Sequence, residues 1–421
     1  MPRHFAFALT LGVLVCTTAC SKSGMLPSGL QGSQLGTHFT FTPRMLRYFP
    51  GPPNNVGFPN GVVDTNDALY GTASGGGKYG YGELYKVSFP GGGTILHSFS
   101  SPGGNEPSGG LIVQSGALYG LTFVGGPKDA GSLFGISSAN GQLLFSYTFQ
   151  GPPKDAACPT GGLTAVGGVL YGASTTGGNG PCQGGLGGCG AVFRLDPSTG
   201  KESLIYNFQG GADGDYPNGD LLYLKGDLYG TTYDGGTFGC GGFGCGIVFA
   251  VNVSTHKERI VYKFQGGPDG ENPASGLIVV GGKLYGVTGT GGVGSFGTLY
   301  EIAPSNGTEK ILHSFASYKN DGQYPSFDVT YSKGTLYGIA ANGGLGSCKY
   351  GCGTVYAFDL SLGRYKTLYE FKGGTDASEP DSSLTQIGAD FYGTTVHGGA
   401  TGTGTIFRVD PNGREKVVYS F

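Results

Sequence analysis

Residues 209–264 read QGGADGDYPNGDLLYLKGDLYGTTYDGGTFGCGGFGCGIVFAVNVSTHKERIVYKF. Four short runs with apolar residues at alternate positions alternate with turns rich in Gly, Asn and Asp. The pattern predicts a first strand over residues 220–224 and, after the turn Lys225-Gly226, a second over 227–232. A Gly-rich loop leads to a third strand, 246–251, and a turn through Ser254 to Lys257 enters a fourth, 258–264. Period-2 alternation with β-branched and aromatic enrichment is the signature of strands half-buried in a sheet.

This unit recurs. The tripeptide Leu-Tyr-Gly places its Tyr at 70, 119, 171, 229, 285 and 337, and Phe391-Tyr392-Gly393 is a seventh copy. The fourth run ends in an aromatic-x-Phe signature, with its Phe at 49, 99, 149, 208, 264, 315, 371 and 421. Seven units therefore fill the chain from residue 50 onward, preceded by one extra copy of the last element, RMLRYF at 44–49. A four-stranded antiparallel unit with a period near 50 residues cannot bury both its faces alone, whereas a ring of such units buries each sheet against the next. The expected fold is all-β: a seven-bladed propeller over residues 44–421, with eight blades or an open stack as the alternatives. A seven-bladed ring has seven slots for eight fourth strands. Met45–Phe49 and Val417–Phe421 are accordingly expected to meet at the closing blade.

Composition supports this. The chain has 421 residues with 87 Gly and 23 Pro, a quarter of the total, which alone would suggest low complexity. Aromatics at 12% and charged residues at 13% oppose that reading, because disordered chains have few rings and many charges. The glycines must therefore punctuate a turn-rich β fold. A net charge of −3 without a long basic run argues against nucleic acid as a partner.

The N-terminus reads as an export signal over residues 1–20. Arg3 precedes an apolar run from Phe5 to Val15, too short to span a bilayer, and Thr17-Thr18-Ala19 offers a small-residue cleavage site before Cys20. Cys20 is the expected lipidation site of a bacterial lipoprotein in the outer membrane, periplasm or cell surface, although Thr17 stands where Leu is usual. The alternative is ordinary cleavage after Ala19 and release. Residues 21–43 are expected to form a flexible tether, and the membrane is expected to be reached only through the N-terminal lipid.

The pattern G-x-LY-G-T-T-x-x-G-G…G-T-V-F…LY-x-F resembles the GloVer tandem repeat of bacterial choice-of-anchor surface proteins. It stands here as Leu228-Tyr-Gly-Thr-Thr232, Gly235-Gly236, Gly246-Ile-Val-Phe249, Gly353-Thr-Val-Tyr356, Gly404-Thr-Ile-Phe407 and Ile205-Tyr-Asn-Phe208. The first two units depart most, with Gly-Thr-Ala at 71–73 and Gly-Leu-Thr at 120–122. The layout also resembles Kelch repeats, without their full double-Gly and Trp pattern. The resemblance implies an exported repeat protein and carries over no catalytic residue.

Length variation falls in one loop. From the LYG Tyr to the strand-three aromatic is 15 residues in units one, two, five and seven, but 22, 20 and 19 in units three, four and six. Those three expanded loops hold Cys182 and Cys189, Cys240 and Cys245, and Cys348 and Cys352. In an exported chain such local pairs predict disulfides, with zinc thiolates as the competing reading. Cys158 has no local partner and is expected to be a free thiol, with a rearranged pairing to Cys182 as the alternative.

The loops joining each fourth strand to the next unit contain an acidic turn, with Asp213 and Asp215, Asp269 and Glu271, and Asp321. Calcium could use such carboxylates, but one or two acids per turn fall short of its usual six to eight oxygens. The competing role is an Asx turn that shapes the crossover. No cofactor is otherwise expected. His397 is the one His on this loop face outside the repeat positions, and no nucleophile stands at a recognisable spacing from it. Two functions remain. One is a monomeric, non-enzymatic propeller that binds an envelope or extracellular protein or glycan through the face carrying Asp213, Asp215, Asp269, Glu271, Asp321 and His397. The other is a secreted carbohydrate-active lyase or hydrolase, which needs converging acids in a pocket.

Overall fold

The computed structural model describes residues 57–65, 68–88, 92–182, 187–316 and 320–421. They form seven antiparallel blades, each built from one contiguous segment: 57–98, 105–148, 156–207, 215–263, 271–314, 322–370 and 378–420; in the sixth, Gly322–Gln323 and Asn342–Gly343 pair as a separate two-stranded ladder. Blade four shows the plan. Asp215–Leu224 pairs with Asp227–Asp234, which pairs with Ile247–Asn252, which pairs with Glu258–Lys263. The fold is the seven-bladed β-propeller that the repeat predicted.

The first strand of blade four begins at Asp215, five residues before the alternation suggested. Pro217 and Gly219 interrupt the pattern, and the pairing shifts register between Asn218 and Leu222. Proline is tolerated because this is the innermost, edge strand of the blade. In blades three, five and seven the same interruption splits the first strand in two.

Two steric devices explain the sequence signatures. The Gly of each LYG lies beneath the aromatic ring of the neighbouring third strand: a Cβ on Gly230 would stand 2.5 Å from the Phe249 ring, and one on Gly172 2.5 Å from Phe193. Only Gly permits that crossing. Between blades, the Phe that ends each fourth strand packs edge-on or tilted against the third-strand aromatic of the next blade. The pairs are Phe99–Phe134, Phe149–Phe193, Phe208–Phe249, Phe264–Tyr300, Phe315–Tyr356 and Phe371–Phe407. Phe421 against Tyr85, at 5.0 Å between centroids, is the seventh.

The last blade thus meets the first through the same contact as every other pair. Further bonds join their inner strands, where Thr394 Oγ1 donates to the Pro59 carbonyl (3.2 Å) and the Gly61 amide donates to Thr394 Oγ1 (3.1 Å). The fourth-strand slot of blade seven is filled by Glu415–Ser420, and that of blade one by Gly92–Ser98. Met45–Phe49, the tether and the export signal with Cys20 lie outside the described residues.

Candidate functional site

The loops joining second to third strands and those joining fourth strands to the next blade share one face, where the cysteines close it. Disulfides link Cys182 to Cys189, Cys240 to Cys245 and Cys348 to Cys352. Each lies against the Gly that opens the following crossover, Gly210, Gly266 or Gly373, where a side chain would meet sulfur. The second cysteine of each pair then does a second job. The carbonyls of Cys189, Cys245 and Cys352 accept the amides of Tyr216, Asn272 and Glu379 in the next blade, at 3.1, 2.9 and 2.9 Å.

Those three acceptor-bound residues have left-handed φ values of 53°, 56° and 55° and each precedes a Pro. A non-glycine residue holds that conformation only when its surroundings impose it. In these blades the acceptor is a disulfide cysteine, whereas Glu106 and Tyr324 hold the same conformation against the Tyr81 and Phe296 carbonyls, with no disulfide at the acceptor. Cys158 occupies the equivalent position between blades two and three, with φ 54° and its amide on the Ala130 carbonyl (3.0 Å). It is disulfide-bonded and fully buried rather than a free thiol. The six loop cysteines pair among themselves, so it is not joined to Cys182 either.

The acidic turns have a common geometry. Asp213 accepts from Tyr206 Oη (2.6 Å) and from the Gln209 amide (2.7 Å). Asp269 accepts from Tyr262 Oη (2.6 Å) and the Gln265 amide (2.6 Å), and Asp321 lies 3.3 Å from His313 Nε2 and accepts the Ala316 amide (3.0 Å). Asp155 and Asp376 repeat the arrangement with Tyr147 and Tyr369. In each case the carboxylate ties the aromatic of Tyr/His-x-Phe to the start of the crossover. That pairing accounts for both sequence signatures at once.

Asp215 and Glu271 instead begin first strands on the inner side of the face. Asp215 is register partner to Asp234, and Glu271 to Thr290. Burial pushes Asp215 up to about 7, and burial together with the Asp215 charge pushes Asp234 up to about 8. Asn272 Nδ2 donates to Asp234 Oδ1 (3.3 Å). His397 ends the second strand of blade seven, with Nε2 3.7 Å from Glu379 Oε2.

Deeper in the ring, aligning the first strands on their Pro residues puts Gly110, Gly162, Asp220, Gly276, Asp328 and Ser383 at one position in blades two to seven. Asp220 Oδ1 accepts the Gly162 amide (2.5 Å) and Asp328 Oδ1 accepts the Gly276 amide (2.6 Å). Burial and the charge of Asp220 push Asp328 up to about 8. Sequence reading missed this pair because neither acid belongs to a motif. The Pro-aligned register was the signal that would have exposed it.

The outer rim of the face is aromatic. Of fourteen exposed large apolar side chains among the described residues, seven lie on the loops between second and third strands: Tyr79, Tyr81, Phe238, Phe243, Val293, Leu345 and Tyr350. Phe238 is 93% exposed. Lys78 and Lys349 sit over the rings of Tyr79 and Tyr350 at 5.1 and 4.9 Å.

The chain belongs to the Gloeobacter/Verrucomicrobia repeat family, which matches residues 21–243, 181–347 and 319–421. No curated protein matches it in sequence. Among solved structures it is similar to the S511A mutant of puromycin hydrolase complexed with PGG, at 13% identity and a TM-score of 0.55, covering 87% of this chain and 54% of that one. It is also similar to a Mycobacterium tuberculosis puromycin-hydrolyzing peptidase, at 12% identity and a TM-score of 0.51, covering 86% and 53%. The chain spans about half the length of these peptidases. At such identities the likeness concerns the fold alone.

Proposed function

We propose that this protein is an exported, envelope-anchored binding propeller that acts without catalysis, holding a protein or glycan on its disulfide-braced loop face. The observation that carries the reading is the placement of exposed rings. Exposed apolar side chains gathered on one face mark interaction sites, and here Tyr79, Tyr81, Phe238, Phe243 and Tyr350, at 42–93% exposure, all project from one set of loops. Loops held by a rigid scaffold lose little entropy on binding. Asp215, Glu271 and His397 would supply polar contacts toward the centre of the same face, and the reading needs no cofactor. Anchorage rests on the N-terminal signature ending at Cys20. The test is a glycan array and envelope-protein capture with the mature chain and a Phe238→Ala, Tyr350→Ala variant. The variant should lose at least tenfold in binding while melting as the parent does. Equal binding by both proteins would refute the face.

A second reading, a carbohydrate-active lyase or hydrolase, draws on Asp220 and Asp328. Two carboxyl groups whose environments push a pKa far from its usual range are the raw material of acid–base catalysis. Polysaccharide degradation abolished by Asp328→Asn would establish that reading. Degradation unaffected by the substitution, or absent from the parent, would remove it.

A further inference from the structure

The contacts between blades include a group that neither function uses. Four residues before the Tyr or His of Tyr/His-x-Phe, the fourth strands of blades three, four, five and seven carry Glu202, Glu258, Glu309 and Glu415. Each glutamate belongs to the blade that follows a Tyr–Asp clamp, and each faces that clamp across the seam. Glu202 Oε2 lies 3.4 Å from Tyr147 Oη, itself 3.0 Å from Asp155. Glu258 faces Asp213 and Tyr206, Glu309 faces Asp269, Tyr262 and Tyr300, and Glu415 faces Asp376 and Tyr369. In all four glutamates Oε1 is buried and has no hydrogen-bond partner. Among the described residues, cations act on two of the sites, Arg259 and Lys263 on Glu258 and Lys372 on Glu415.

Two carboxylates facing one another in a partly desolvated seam are unstable as a dianion, and a proton on one removes the repulsion. We propose that in each of these four seams the glutamate carries a proton that it loses in alkaline medium, so that the ring is tighter in mildly acidic medium than in alkaline medium. Burial first, and the neighbouring aspartate second, push Glu202 up to about 8 and Glu258, Glu309 and Glu415 up to about 7. A carboxyl group raised in the folded state gives its full stabilisation below its unfolded pKa, near 4.5. It loses that stabilisation as pH climbs through 7 to 8. The seam between blades five and six lacks the device: Tyr365 takes the glutamate position and stacks on His313 at 3.7 Å.

Hydrogen exchange on the full chain, corrected for intrinsic rates, tests the proposal seam by seam. Between pH 6 and 8.5 the amides of Glu258–Lys263 should lose up to about tenfold in protection, the shift expected when one such proton is lost. Glu258→Gln, which cannot ionise, should abolish that loss locally while leaving the change at Glu415–Ser420 intact. A parent strand whose protection is flat across this range would overturn the proposal. So would a Glu258→Gln strand that loses protection as the parent does.

Discussion

Blades one and four follow one plan and are reinforced differently. In both, an LYG glycine lies under a third-strand ring, Tyr85 over Gly71 and Phe249 over Gly230, and in both the preceding blade's Phe closes on that ring. Blade four adds a disulfide across its expanded loop, and its fourth strand carries both Glu258, facing Asp213, and Tyr262, clamped to Asp269. Blade one has neither addition. Its loop is short, Gly93 stands at the seam position of Glu258, and His97 replaces the seam tyrosine. Packing alone therefore suffices to make a blade, and the covalent and acidic additions are superimposed on it. The disulfides go to the blades whose loops are longest, where a glycine-rich insertion has most conformational freedom to lose, whereas the glutamates also stand in blades five and seven, whose loops are short.

If packing is the common element, its removal should cost the same everywhere. Phe264→Ala, between blades four and five, should destabilise the ring by about 3–5 kcal/mol, the range for a fully buried Phe. Phe421→Ala, at the seam between blades seven and one, should cost as much, since Phe421 meets Tyr85 as Phe264 meets Tyr300. Urea melts of the two variants check this. A Phe421→Ala variant that melts like the parent would mean that the ring is held at this seam by something other than the repeat contact.

The disulfide in blade four should matter less. Replacing Cys240 and Cys245 together with Ser opens a loop of only five residues in sequence separation, worth about 2 kcal/mol in the chain-entropy treatment. The local effect should exceed the global one. With the loop free, the Cys245 carbonyl is less firmly placed against the Asn272 amide, and exchange of that amide should rise more than that of Glu258–Lys263. Equal changes at both places would assign the disulfide a purely global role.

How far these features could be read in advance depended on whether the chain repeats them. The LYG glycine and the terminal Phe recur in all seven units and fixed the blade count and strand order, and the three expanded second-to-third loops with their paired cysteines pointed to the disulfides. The start of the first strand was hidden because Pro217 and Gly219 break the alternation that marks a strand. The seam glutamates were hidden for another reason. An acid on the outermost strand of a blade looks like a solvated residue, and only the register across the seam brings Glu258 against Asp213. The roles of Asp220 and Asp328, which accept the Gly162 and Gly276 amides of the preceding blades, depended likewise on which blades are neighbours, information that alternation within one blade does not contain.

Blade one also holds the counterexample to its own simplicity. At the position where blades five and seven open the third strand with Thr298 and Thr405, blade one has Glu83. Those threonines bond Thr288 and Thr395 on the adjacent strand at 2.8 Å, whereas Glu83 is paired with Ala73. Glu83 is fully buried, and neither carboxyl oxygen has a side-chain or main-chain donor at hydrogen-bonding geometry. Burial pushes it up to about 7, against the lowering effect of the nearby Gly77 backbone, which stands outside hydrogen-bonding geometry. A glutamate raised in the folded state is harmless below its unfolded pKa, and its cost grows as pH rises through 7. Glu83→Gln should therefore leave stability nearly unchanged at pH 5 and raise it by about 1 kcal/mol at pH 8. Urea melts of parent and variant at the two pH values measure the difference. A variant that gains equally at both would show that shape, not charge, is what Glu83 imposes on blade one. A loss at pH 8 would mean that the ionised carboxylate is bound there and that blade one is reinforced after all, by a donor beyond its own sheet.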